Sequence, residues 1–193
     1  MRLLLLAPPG AGKGTQGTRL AAWSGARHIG AGDLLRAEAR ADSPLGREIA
    51  ACQARGDLVP DQIVLDVLIP AVVDAARDGG YILDGFPRTL AQATAAAELG
   101  ARLGVTLQAA IYLDAPEEVL RRRLLGRADE RGRADDTADV IGHRLEVFAQ
   151  TTGSLVPYYQ QRGILMTINA DQPPDAVFAD IRAGLSELPF LAN

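Results

Sequence analysis

Between an apolar run, Leu3 to Leu6, and a helix-forming stretch lies APPGAGKGTQGTRL, residues 7–20. Nothing else in the chain limits its possible folds so strongly. Gly10, Gly12 and Gly14 with Lys13 and Thr15 describe a phosphate-binding loop set between a strand and a helix. Pro9, Gly10 and Gly12 let the backbone curl so that its N–H groups point inward. Those donors, the helix N-terminus and the Lys13 ammonium then converge on one anion.

A loop of this kind needs a buried strand before it, and the remaining chain supplies partners for that strand. Short apolar runs at 2–7, 26–29, 81–84, 109–113 and 163–168 alternate with helical stretches at 14–23, 61–77, 89–99, 116–125, 137–161 and 174–188. Strands that are apolar throughout must be covered on both faces. The expected fold is therefore α/β, a three-layer sandwich around a five-stranded parallel sheet. Residues 33–60 read as short helices broken around Ser43-Pro44 and at Gly56, an insertion rather than core, with Asp33 able to cap a helix beginning near Leu34. Pro70 is expected to kink or break the helix that carries it. Gly126 to Asp136 is polar and reads as a surface loop.

Composition removes several function classes. A chain of 193 residues holds one α/β core with small insertions and not two large domains. Its net charge of -4 argues against a general nucleic-acid binder, so local arginines must serve any anion. Cys52 alone permits neither an internal disulfide nor a cysteine-based zinc site. No stretch reaches 18 apolar residues and the first nine are too short for a signal peptide, so the expectation is a cytoplasmic protein with no membrane partner.

In such a sheet ligands bind at the strand carboxyl ends. Lys13, Asp33, Asp84 and Arg88 all fall just past such ends. Lys13 can reach the outer phosphates of a nucleoside triphosphate, and the Thr15 hydroxyl is placed to help hold Mg²⁺. Asp84 either holds metal-bound water or caps the following turn. Asp33 is either a helix cap or an acid behind the site. His28 and His143 read as local structural residues. Arg88 follows a tight Gly85-Phe86-Pro87 turn, Arg36 lies in the insertion, and Arg123, Arg127, Arg133 and Arg144 lie in or around the polar loop. Arg123 and Arg127 are four apart and can share one side of a helix end. Phosphoryl transfer between two nucleotides needs such a supply of directed cationic donors, to hold two sets of phosphates in line and neutralise the transferred group.

Taken together, PGAGKGTQ at 9–16, GDLLR at 32–36, GDLVPD at 56–61, DGFPRTLAQA at 84–93, LLGR at 124–127 and GRADD at 132–136 resemble the adenylate kinases of the short-lid bacterial type. The resemblance covers almost the whole chain. It implies a single P-loop kinase domain over 1–193, with an AMP-binding insertion at 30–59 and a short lid at 126–136. It implies a monomer that transfers the terminal phosphoryl group of MgATP to AMP, giving two ADP. It implies that Gly10, Ala11, Gly12, Lys13, Gly14 and Thr15 wrap ATP, that Arg127 contacts ATP, and that Gln172 lies near its adenine. Arg36, Arg88 and Gln92 would hold AMP. Backbone at Asp57, Leu58 and Val59 would line its base pocket, beside Ala31 and the turn Gly85, Phe86, Pro87. Arg123 would touch phosphate, Arg133 and Arg144 would bridge the lid to the AMP and transfer site, and Asp84 would organise magnesium water.

Three departures stand out. The lid lacks the long insertion of many bacterial members, and with it the cysteines of their zinc site, so no zinc is expected. Ala7 replaces the usual glycine before the loop. Ala31 stands where these enzymes usually carry threonine against the adenine of AMP, and alanine there resembles the UMP/CMP kinases. Gln92 points back to AMP, because its amide can pair with the adenine edge. A UMP/CMP kinase or another nucleoside monophosphate kinase is the alternative reading.

Overall fold

The structure is a computed structural model, and it describes residues 1–55, 59–131 and 138–188. Strands β1 (Arg2–Leu6), β2 (Arg27–Gly30), β3 (Tyr81–Asp84), β4 (Ala109–Asp114) and β5 (Leu165–Asn169) form one sheet in the order β2-β3-β1-β4-β5. Every pairing is parallel. The continuous apolar character of β1 follows from its place in the middle. Leu3 and Leu5 point to one core and Leu4 and Leu6 to the other, and all four are buried.

One face is covered by α1 (Lys13–Ser24), α6 (Glu117–Arg131), α7 (Ala138–Gln150) and α9 (Pro174–Ser186), through Leu20, Leu120, Leu124, Ile141, Ile181 and Leu185. The other is covered by α4 (Asp61–Arg77), α5 (Leu90–Leu103) and α8 (Leu155–Gln161), through Val64, Leu68, Val72, Ala93, Leu155 and Tyr159. A three-layer α/β sandwich results, as the strand pattern predicts. Two short helices, α2 (Ala31–Glu38) and α3 (Pro44–Arg55), lie between β2 and α4, with the expected break before Pro44.

Four local expectations are corrected. Gly126 to Arg131 is not loop: α6 runs through it to Arg131. The segment is polar, but its Arg, Ala and Glu residues are good helix formers, and one internal glycine costs only about 1 kcal/mol. Asp33 does not cap a helix at Leu34. The helix begins at Ala31 after an extended Gly30, and Asp33 sits in its first turn. The helix α4 passes through Pro70 without a break. Pro70 and Asp66, whose carbonyl loses its partner, are both solvent-facing, while the opposite side of the helix is held by Ile63, Val64, Leu68 and Val72. The helix expected to end near Leu99 continues to Leu103, because Gly104 and not Gly100 takes the left-handed φ of 70° that stops it.

Tyr81 closes the edge of the second core. Its hydroxyl donates to the Val105 carbonyl at 2.7 Å. Burial, slightly offset by Arg2, pushes its pKa from 10.0 up to about 12. Between those two values the unfolded chain releases a proton that the folded chain keeps, so stability falls as pH rises through that window. Tyr81→Phe is expected to cost about 1 kcal/mol at neutral pH and to flatten that alkaline decline. Urea unfolding at neutral pH and across the window measures both.

Candidate active site

The loop from Ala7 to Gly12 leaves the carboxyl end of the central strand and feeds directly into α1. Its turn is closed by the Ala11 N–H donating to the Pro8 carbonyl at 3.2 Å. Gly10 and Gly12 take φ values of 89° and 92°, which only glycine adopts without strain. Gly12 caps α1, which makes Lys13 its first helical residue and puts Thr15 in its first turn. Gly10 is also a contact point. A Cβ there would lie 2.9 Å from the Leu120 carbonyl oxygen and 3.1 Å from Leu124 Cγ, so the loop rests directly on α6.

Beside this loop stands an acid from the neighbouring strand. Asp84 ends β3, in register with Leu5 of β1 and Gly30 of β2. Its Oδ1 lies 2.8 Å from Lys13 Nζ, and its Oδ2 lies 3.6 Å from His28 Nε2. The second distance is too long for a hydrogen bond, and His28 Nε2 is buried without a partner. Burial raises the Asp84 carboxyl. The neighbouring His28 and the Lys13 ammonium outweigh it and hold the group below the usual carboxylate value. The His28 ring packs against Gly17 of α1, where its atoms fill the space a side chain would take. Beyond the local structural part expected of it, His28 therefore stands next to the acid of the site. Its place there comes from the β2–β3 register, which has no signature in the local sequence.

An open cleft of about 920 Å³ lies over the loop. Its walls bring together Gly10, Gly12, Lys13, Gly14 and Thr15 with Gly85, Pro87 and Arg88 from the turn after β3, Arg123 from α6, and His143 and Arg144 from α7. His143, which reads from sequence as structural, is a cleft residue. Ala11 is buried beneath the loop and Phe86 is 2% exposed in the second core, so neither lines the cleft. Arg88 donates its Nε–H to the Gly85 carbonyl at 3.0 Å. Arg123 turns toward the loop between β5 and α9, donating to the Ala170 carbonyl at 2.9 Å and the Gln172 carbonyl at 3.4 Å. Gln16 reaches the same loop, donating to the Pro174 carbonyl at 2.9 Å. The Gln172 amide itself is turned to the Asn169 carbonyl and to Asp180, away from the cleft.

Ala31, Arg36, Val59 and Gln92 do not line this cleft. They lie on α2, just before α4 and in the first turn of α5. Ala31 is 2% exposed at the start of α2. Arg36 pairs with Asp33 at 2.5 Å on an exposed helix face. Val59 packs at the edge of the second core. Gln92 is held between Asp61 and the backbone of Arg88. The Arg127 side chain, Arg133, Asp57 and Leu58 lie outside the described residues.

The donor set fits a hard divalent cation. Thr15 and Asp84 offer a hydroxyl and a carboxylate, and Mg²⁺ characteristically takes few protein oxygens together with water and phosphate oxygens. No group of three His, Cys, Asp or Glu able to hold a metal occurs among the described residues.

Gly10→Ala tests the packing of the loop. The methyl group would meet α6 backbone while forcing a strained φ. It is expected to cost about 1–3 kcal/mol and to weaken nucleotide binding, measured by urea unfolding and by titration with ATP.

A protein-family model described as adenylate kinase matches residues 5–164. The adenylate kinase of Synechococcus sp. (strain WH7803) is 44% identical over 185 residues, covering 96% of this chain and 98% of that one. That of Xanthomonas oryzae pv. oryzae (strain MAFF 311018) is also 44% identical, covering 96% and 99%. That of Thermus thermophilus is 42% identical over 183 residues, covering 95% and 96%. With a phosphate loop on the central strand, an acid on the next strand and arginines converging from separate elements, this chain belongs to the adenylate kinase family.

Proposed function

We propose that the chain catalyses reversible transfer of the terminal phosphoryl group of MgATP to AMP, giving two ADP. The observation that carries this reading is the cleft onto which both the phosphate loop and the cationic side chains Arg88 and Arg144 open. A phosphate loop alone serves hydrolysis equally well. Guanidinium groups lining the same cleft suit a second phosphate chain, because they are planar, permanently charged and directed.

In this reading the loop N–H groups and Lys13 hold the ATP phosphates, and Lys13 leaves Asp84 for the transferring group. Thr15 and, through water, Asp84 would hold Mg²⁺, which would supply charge neutralisation for the phosphates. Arg88 and Arg36 hold the AMP phosphate, and Arg123, Arg127, Arg133 and Arg144 stabilise charge spread over the transferred group. Gln92 reads the acceptor base, with Ala31 and the backbone near Val59 beside it. The acceptor oxygen is already anionic, so no general base is needed. Residues 30–59 act as the AMP-binding insertion and residues 126–136 as the lid that excludes water on closure. The enzyme works as a monomer in the cytoplasm, with nucleotides as its partners. No helix among the described residues is long and apolar enough to cross a membrane.

Ala31 is the one observation that favours a pyrimidine acceptor. Initial rates with MgATP and AMP, CMP, UMP or GMP decide the point: AMP is expected to be used fastest, and faster turnover of CMP would overturn the assignment. Arg88→Ala is expected to lower kcat/KM for AMP by about 100-fold or more with little change in the unfolding midpoint. Ordinary AMP kinetics in that variant would remove Arg88 from the acceptor site.

A further inference from the structure

Lys13 is the only lysine in the sequence; the other fixed cationic side chains are arginines. Its ammonium lies 2.8 Å from Asp84 Oδ1, and the two side chains are only 29% and 16% exposed. A pair so shielded is weakly screened by salt. Among the described residues, the arginines that line the cleft are Arg88, Arg123 and Arg144. Arg88 and Arg123 donate to neutral backbone carbonyls, which leave their charge uncancelled. At Lys13 a full negative charge sits against the cation. The loop's own positive charge is therefore offset where a phosphate chain would meet it.

Such a pair acts on binding through populations. The loop engages a phosphate chain at full strength only in molecules whose Lys13 has left Asp84, and the apparent affinity falls by that fraction. A divalent cation arriving with the phosphates removes the restraint. The Asp84 carboxylate then has a larger positive charge to face, and the ammonium is repelled from it and drawn to the phosphates. The residue type suits this exchange. Lysine is a compact point charge on a flexible stem and can move between two anions, whereas an arginine would hold the carboxylate with a planar fork.

We infer that the Lys13–Asp84 pair masks the phosphate loop: without a divalent cation Asp84 keeps Lys13 from a phosphate chain, so the loop takes MgATP in preference to metal-free ATP. This rests on the reading of the loop and Lys13 as the site of the ATP phosphates. It goes beyond the metal-holding part given to Asp84, because it concerns what that acid does to Lys13 before any metal is bound. A purely structural ion pair between β3 and the start of α1 would contribute to stability and have no such effect on nucleotide choice.

The test is direct binding, by isothermal titration calorimetry on the full chain, of ATP in EDTA and of MgATP. It is run on the wild type, Asp84→Asn, Lys13→Met and the double variant, with the thermal midpoint read alongside. Asp84→Asn is expected to bind metal-free ATP about tenfold more tightly than the wild type, while MgATP gains nothing. An acid that only holds the metal would leave metal-free ATP unchanged, and one that only supports the fold would weaken it; either outcome refutes the mask. Removing a negative charge also helps an anion directly, so the lysine background isolates the pair. With Lys13→Met the gain is expected to vanish. Equal gains in both lysine backgrounds, or for both forms of ATP, refute the mask and leave simple repulsion. Should Asp84→Asn fold poorly, Asp84→Ser removes the same charge and the same gain is expected. Because Lys13 is the only lysine, isotope-labelled lysine gives one side-chain resonance, expected to move on Asp84→Asn without nucleotide. An unmoved resonance removes the pair itself. If the wild type binds neither form of ATP, the reading of the loop as an ATP site fails, and the mask with it.

Discussion

Burial of β1 on both faces governs the geometry of this molecule. Its four leucines supply two cores at once, so the strand can only be interior, with β3 and β4 on either side. The phosphate loop therefore emerges from the middle of the sheet rather than its edge. It is flanked by the carboxyl end of β3, which brings Asp84, and it rests on α6 through Gly10. The Lys13–Asp84 contact follows from that adjacency. An ammonium and a carboxylate that are far apart in sequence meet because two parallel strands end at the same level.

The same arrangement ties the outer parts of the cleft to the loop. Arg123 and Gln16 both donate to carbonyls of the segment between β5 and α9, and Arg19 of α1 pairs with Asp175 at 2.6 Å. The loop helix, α6 and the start of α9 are thus one connected block. A second group consists of α2, α4 and the start of α5, joined by the packing of Ala31, Val64 and Leu68 in the second core and by the Asp61–Gln92 contact. A donor nucleotide on the first block and an acceptor on the second would meet across the turn that carries Arg88.

How far the sequence can be read depends on the range of the interactions involved. The five strands and the loop are legible because burial on two faces and the glycine–lysine–threonine order are local signals. Pro70 misleads because its local cost is real, but the packing of Ile63, Val64, Leu68 and Val72 outweighs it. Gly126 to Arg131 misleads because its polarity suggests a loop while its helix propensity prevails. Asp33 has the chemistry of a cap, yet its carboxylate finds Arg36 one turn away. The neighbourhood of His28 carries no signal at all, since the Asp84 contact depends on which strand lies beside β2.

The sequence by itself determined the parallel α/β class, the position of the phosphate loop between strand and helix, and the family to which the chain belongs. Those features rest on the periodicity of apolar residues and on backbone freedom at particular glycines, both written in consecutive positions. Only the tertiary structure decided that Lys13 faces Asp84, that Arg123 serves the β5–α9 segment, that His143 opens on the cleft, and that Asp61 holds the Gln92 amide. Each of those contacts joins residues from different elements, and their distances are set by strand order and helix packing rather than by spacing along the chain.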